Sequence, residues 1–291
     1  MVARSIISSA VSKPDNAEAH EADGRASMPP WSIDVGDGPV VATAIHSGHE
    51  LRPEVAEWMA IEDLERMREE DPLTDVWTSV GDSSIRVHRS RFEVDLNRPR
   101  DKAIARNPDE SWGLTVWRER PPENVIERSL AEYDSFYDEV DALLDFLLGR
   151  WNRILVLDLH SSNHRRYGPD GPGASQLYNP EVNIGTGTMD RKRWTPLVDT
   201  FIAELRSQEI QGRTLDVREN VKFKGGYFPL SLHSRYPDNV CVLSIEFKKI
   251  FMDEWSATAS IAALEALRIA LRDAANCIRP QLGNQQGSKR D

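Results

Sequence analysis

The sequence predicts a three-layer α/β/α domain built around a mixed, mostly parallel central sheet, and three observations lead there. Residues 40–45, 153–159 and 239–247 are nearly continuous apolar runs with the length and β-branched content of strands covered on both faces. Between them lie segments with the three-and-four spacing of amphipathic helices, above all residues 124–151. Strands alternating with helices of this length give a parallel-rich sheet between helical layers. At 291 residues and 32.9 kDa, the chain can bury a large core without staples.

Residues 1–35 mix Ser, Ala, Asp, Glu, Pro and Gly without period and are expected to be a weakly ordered tail; residues 283–291 read the same way. Residues 36–282 contain no linker and form one domain. The run at 40–45 follows Gly38-Pro39 and stops at His46-Ser47-Gly48, a buried strand ending in a loop. Pro53 can open a helix that turns Val55, Met59, Ile61 and Leu64 inward. Residues 85–94 read as one or two strands. In the long helix, Ile126, Leu130, Tyr133, Tyr137, Val140, Leu144 and Leu147 form the apolar stripe. The strand that follows delivers His160 at its exit. Thr195-Pro196 opens a helix to about Gln208, residues 214–217 are a short strand, and residues 257–277 are a closing helix. Ligand sites of such sheets form where loops leave the strand ends. His46, His160 and Glu246 all sit there.

With 36 basic and 47 acidic residues, the net charge of -11 argues against nucleic acid or an anionic membrane surface as partner. The two cysteines are far apart in sequence, so neither a disulfide framework nor a Cys-type zinc site is expected. No stretch approaches the roughly 18 apolar residues of a membrane span. Residues 5–11 are too short and polar for a secretion signal. The expected location is the cytoplasm, the expected partner a small molecule, and no oligomeric state is assigned.

Four elements can carry chemistry. In His46-Ser47-Gly48-His49-Glu50, an imidazole and a carboxylate suit Zn²⁺, with Gly48 letting the loop bring both toward one ion and His49 as alternative ligand. Asp158 and His160 end an apolar strand two residues apart and so point the same way, an expensive arrangement unless something binds them. His160 would complete a set with His46 and Glu50, and Asp158 would support it from behind. In the segment from Arg91 to Pro99, Arg98 offers a planar fork for a carboxylate and Asn97 a neighbouring donor; the competing reading pairs Arg98 with Asp95 or Asp101. Glu246, a carboxylate inside an apolar strand, suits a general base, or else a salt bridge to Lys248 or Arg235. No Gly-x-Ser-x-Gly is present, so Ser47 and Ser161 are read as loop hydroxyls. His88, His164 and His233 are expected on loops or the surface, with His164-Arg165-Arg166 a candidate contact for an anionic substrate.

In this order, His-x-Gly-x-Glu, Arg-x-x-x-Asp-Leu-Asn-Arg-Pro, Asp-x-His-Ser, Lys224-Gly225-Gly226-Tyr227 and Met252-Asp253-Glu254 make the chain resemble the N-formylglutamate amidohydrolase family over about residues 38–260. The wider zinc carboxypeptidase and aspartoacylase superfamily shares the order. The resemblance implies a zinc-peptidase-like, phosphorylase/hydrolase-like fold with an eight-stranded sheet, and one Zn²⁺ per chain. It also implies hydrolysis of the amide of an acyl amino acid. The implied roles are metal binding by His46, Glu50 and His160, proton transfer by Glu246, and substrate contacts from Asn97, Arg98, Arg91 and Tyr227. The first His-to-Glu step is four where zinc carboxypeptidases have three, so Asp75 is the alternative acidic ligand. The rival functions are a metallo-carboxypeptidase on short peptides and a non-catalytic carboxylate-binding module.

Overall fold

Apolar strands that alternate with helices become one sheet with helices on both faces. The structure, a computed structural model, describes residues 29–283; most of the two expected tails lies outside the described residues. The elements in chain order are β1 (Trp31–Asp34), β2 (Val40–Ala44), α1 (Pro53–Ala56), α2 (Asp63–Glu69), β3 (Ser83–Val87), α3 (Glu123–Leu148), β4 (Ile154–Ser162), β5 (Val182–Gly185), α4 (Thr195–Ser207), β6 (Glu209–Ile210), β7 (Arg213–Thr214), β8 (Val217–Glu219), α5 (Tyr227–Arg235), β9 (Val240–Lys248) and α6 (Ile261–Ile278). The main sheet is mixed and has seven strands in the order β1-β3-β2-β4-β9-β5-β8, one fewer than the resemblance implied. Strands β3, β2, β4 and β9 are parallel, while β1 and β5 run antiparallel to their inner neighbours.

Side chains alternate across this sheet. Val40, Ala42, Leu155, Leu157, Leu159, Cys241, Leu243 and Ile245 join the core under α4 and α6; Val41, Ile154, Val156, Val240 and Val242 join the core under α3 and α5. On the second face the apolar sequence then breaks. After Val41 comes Thr43, after Ile154 and Val156 come Asp158 and His160, and after Val240 and Val242 come Ser244 and Glu246. The register sets Thr43 beside Asp158, Asp158 beside Ser244, and His160 beside Glu246. A polar row therefore crosses three strands at their C-terminal ends, inside the molecule.

Several expectations change. Residues 31–34 are not tail: β1 pairs with β3, and Trp31 packs edge-on against Phe136 of α3 at 5.5 Å. The helix opened by Pro53 stops after one turn, a second helix follows, and Leu64 is 67% exposed. Residues 85–94 form one strand ending at Val87, then turns. The strand expected at 214–217 is split between β7 and β8. The closing helix starts four residues late because Ser260 caps it, its side chain accepting from Ala263 N–H. Among the described residues no helix is long and apolar enough to cross a membrane.

Candidate active site

His46 leaves β2 and meets His160 of β4, ring centroids 4.9 Å apart. Between them lies Asp71, in the turn after α2. Its Oδ2 is 3.0 Å from His160 Nδ1 and 3.5 Å from His46 Nδ1. Each imidazole faces a second carboxylate with its other nitrogen: His46 Nε2 is 2.8 Å from Asp95 Oδ1, and His160 Nε2 is 3.0 Å from Asp158 Oδ2 without the alignment of a hydrogen bond. Asp158 is fixed by its neighbours in the sheet, accepting from Thr43 Oγ1 at 3.1 Å and Ser244 Oγ at 3.3 Å. All three residues of the inner cluster are buried, and their ligand atoms are close enough to share one metal ion.

Asp71 is held from three sides. Its N–H donates to His46 O at 2.9 Å, Ser161 Oγ donates to its Oδ1 at 3.1 Å, and Pro72 follows it. The preceding backbone is pinned by Lys249, a fully buried ammonium that donates to Arg68 O at 2.6 Å and Glu70 O at 2.9 Å.

The cluster is rich in negative charge. Asp71, Asp95, Asp158 and Glu246 surround two imidazoles and the Arg91 guanidinium. Burial alone would raise the Asp71 carboxyl, but hydrogen bonds and charge from His160 and His46 outweigh it and hold it far below the usual range. Burial is likewise overcome at Asp95 by Arg91, His46 and Arg98. His160 is driven well above its ordinary value because Asp158 and Asp71 override burial. Glu246 goes the other way: burial, with Asp71 and Asp158 adding repulsion, pushes it up to about 7 against the pull of His160 and Arg91. Such a site favours a bound positive charge. The donor set fits a divalent metal: His46 Nδ1 is buried with no hydrogen-bond partner, and both imidazoles have carboxylates behind them in the manner of metal-bound histidines.

These groups open into a pocket of about 380 Å³ lined by His46, Asp71, His160, Glu246, Arg91 and Asn97, among others. A larger cavity of about 480 Å³, between Ile104, Trp117 and Ile126, contains none of this chemistry.

The expected residues fare differently. His46, His160, Asp158 and Glu246 come together. Glu50 does not: Gly48 lies so close to the His88 backbone that a Cβ would sit 2.3 Å from its carbonyl carbon, and Glu50 N donates to His88 O at 2.9 Å while Ser90 N returns to Glu50 O. The loop is thereby stitched alongside residues 88–90, and the Glu50 side chain is exposed. Asp75 lies in a 3₁₀ turn, Thr74–Val80, outside the pocket lining. The acidic partner is Asp71, four residues earlier in the same segment.

Arg91 reaches the pocket, its NH2 2.8 Å from Asp95 Oδ2, its guanidinium 4.7 Å from the Trp112 ring and its buried Nε unpartnered. Arg98 does not line it. It pairs with Asp95 at 3.2 Å, donates to Glu110 O and lies over the Trp112 ring as well, 5.4 Å from its centroid. Asn97 lines the pocket, and its Oδ1 accepts from Phe228 N–H at 2.9 Å; Gly226 is required there because a Cβ would meet Asn97 Oδ1 at 2.3 Å. Tyr227 packs toward the core, 6.1 Å from the Tyr137 ring, and is absent from the pocket lining.

Asp71, Asp95 and Lys249 escaped the sequence reading as site components. The signal for Asp71 was an acid at a helix end locked by a following proline. Nothing local singled out Lys249.

No curated protein matches the sequence. Among solved structures, an N-formylglutamate amidohydrolase from Ralstonia eutropha JMP134 is similar, with 18% identity, a TM-score of 0.67, and coverage of 87% of this chain and 100% of that one. A gene product of Agrobacterium tumefaciens is also 18% identical, with a TM-score of 0.59 and coverage of 86% and 96%. At that identity the likeness establishes the fold. The sequence itself matches the N-formylglutamate amidohydrolase family over residues 38–252, which spans β2 to the end of the pocket-forming strands, and this chain therefore belongs to that family of amide-bond hydrolases.

Proposed function

We propose that the protein is a zinc-dependent amidohydrolase that cleaves the amide of an N-acyl acidic amino acid, N-formylglutamate or a close analogue. The observation that carries this reading is the convergence of His46 Nδ1 and His160 Nδ1 on Asp71 Oδ2, with Glu246 beside His160 in the next strand. His46, Asp71 and His160 hold the ion, and Asp95 and Asp158 orient the imidazoles from behind. When bound, zinc supplies Lewis acidity toward the amide carbonyl and makes water a nucleophile at neutral pH. Glu246, at the pocket floor, accepts the proton of the attacking water and returns it to the leaving amine. Arg91, its plane held by Asp95 and Trp112, grips a substrate carboxylate, with Asn97 alongside. Arg98 acts through Trp112 and Asp95 and not on substrate.

The test is elemental analysis together with formate release. Wild-type protein purified without chelator should carry about one zinc per chain. Asp71→Asn should lose both zinc and formate release from N-formylglutamate, while Glu50→Gln should keep both. Full zinc content in Asp71→Asn with loss in Glu50→Gln would reverse the ligand assignment. Amino acid release from dipeptides without formate release would make the enzyme a carboxypeptidase instead.

A further inference from the structure

The pocket has a second charged wall. Six cations line it, and three are engaged: Arg68 pairs with Glu69 and stacks on Trp255, Arg91 pairs with Asp95, and Lys249 is bonded to backbone carbonyls; of the others, Lys224 and Arg166 are exposed and Lys222 is half-buried. The side chains of Arg166, on the loop after β4, and Lys222, after β8, have neither a hydrogen bond nor a carboxylate within ion-pair distance among the described residues, while Lys222 N–H donates to Asn183 Oδ1 at 2.9 Å. Lys222 is partly buried, its Nζ 5.0 Å from the Phe223 ring centroid. Burial first, and then the charge of Arg166, lowers its ammonium pKa, so the two cations repel each other across a shared space. In a chain with a net charge of -11, these two neighbouring cations have no carboxylate within ion-pair distance, and Glu246 and Glu254 act on Lys222 only through longer-range charge. Asn163 lies at the same wall, 6% exposed, with an Oδ1 that no donor reaches. A buried acceptor and a paired positive charge, all facing one cavity, describe a place for a ligand group that is anionic and has a donor near it.

Resting on the amidase reading of the same pocket, we propose that Arg166 and Lys222 form a second anion subsite that holds the side-chain carboxylate of the substrate, while Arg91 holds the other carboxylate and the scissile amide lies between them at Glu246. Specificity for dicarboxylic acyl amino acids would then reside in two residues outside the inner cluster. A neutral side chain of equal size leaves the half-buried Lys222 ammonium facing Arg166 unpaired, which is a penalty and not merely a lost attraction.

The experiment compares N-formylglutamate with N-formylglutamine, which differ only in that charge. Wild-type kcat/KM should favour the acid by about tenfold or more. In Arg166→Gln and Lys222→Met the preference should collapse toward one, with the loss falling mainly on the acid and mainly in KM, and Lys222→Arg should restore most of it. A wild-type ratio near one, or equal losses on both substrates in both variants, overturns the subsite. Binding of glutamate against glutamine, measured by calorimetry, separates the two layers of the argument. If neither formyl compound is hydrolysed yet glutamate binds more tightly in a manner that Arg166→Gln and Lys222→Met abolish, the amidase reading fails and the subsite stands. If formate is released with no preference, the reverse holds.

Discussion

Two imidazoles that share one carboxylate, each with a second carboxylate behind it, make a site in which every member has a definite partner except His46 Nδ1 and His160 Nε2. Roles at this scale follow from which atoms are free. Glu246 differs from the others in making no side-chain hydrogen bond or ion pair among the described residues; it lines the pocket and is partly exposed there. With Glu246 as the proposed base, Glu246→Gln keeps the shape and removes the proton acceptor. Zinc content should stay near wild type while kcat falls by the roughly hundredfold to ten-thousandfold that a positioned base contributes, with a much smaller change in KM. Zinc lost along with activity would make Glu246 a ligand, and unchanged turnover would make it a bystander.

Elements decide which groups meet. Strand β5 pairs with β9 only from Ser244 to Phe247, which leaves the β9 backbone uncovered before that point. His233, in the last turn of α5, fills the gap: its Nε2 accepts from Val242 N–H at 3.0 Å and its Nδ1 lies 2.9 Å from Thr188 Oγ1. The expectation of a loop or surface histidine fails here, for His233 is 6% exposed. Burial pushes its pKa down to about 4, since a charged ring would be taken out of water. The folded chain thus keeps His233 neutral while the unfolded chain protonates it below about 6.5. Its contribution is complete above pH 6.5 and is lost as the pH falls toward 4, amounting to about 3 kcal/mol at most. His233→Gln can still accept from Val242 but does not titrate. Denaturant unfolding of this variant should therefore vary less between pH 6.5 and 4 than that of wild type; equal slopes would show that His233 is not buried neutral.

For the whole molecule, the sheet is closed off at one edge by β1, whose Trp31 also donates to Glu139 Oε2 at 2.8 Å. This edge is separated from β9 by three strands and takes no part in the pocket. Trp31→Ala should cost about 2 kcal/mol of unfolding free energy, less than a fully buried tryptophan, with turnover retained. Unchanged stability would mean that β1 is an ornament on a domain that begins at β2. The negative charge of the chain and the cations gathered at the pocket fit the proposed reading at this scale: in an acidic chain, those cations make the cleft the expected place for a small anionic substrate.

By itself the sequence determined the α/β class, the three central strands, the long helix α3 and the presence of His46, Asp158, His160 and Glu246 in or just after those strands, although β4 continues past His160 to Ser162, because periodicity and burial act locally along the chain. It also determined the family, through motifs short enough to read in order. Only the tertiary structure decided which acid joins the histidines. On paper the choice lies between Glu50 and Asp75, with Asp71 passed over, yet the close approach of Gly48 to His88 turns Glu50 outward, and Lys249, distant in sequence, holds the backbone that brings Asp71 in. The same holds for the two arginines of one motif. Arg91 and Arg98 carry the same fork, and it is the position of Trp112, Asp95 and Glu110 in space that leaves Arg91 at the pocket and ties Arg98 behind it. Residue type fixes what a side chain can do, but packing between segments far apart in the chain fixes which of several equivalent side chains has the opportunity.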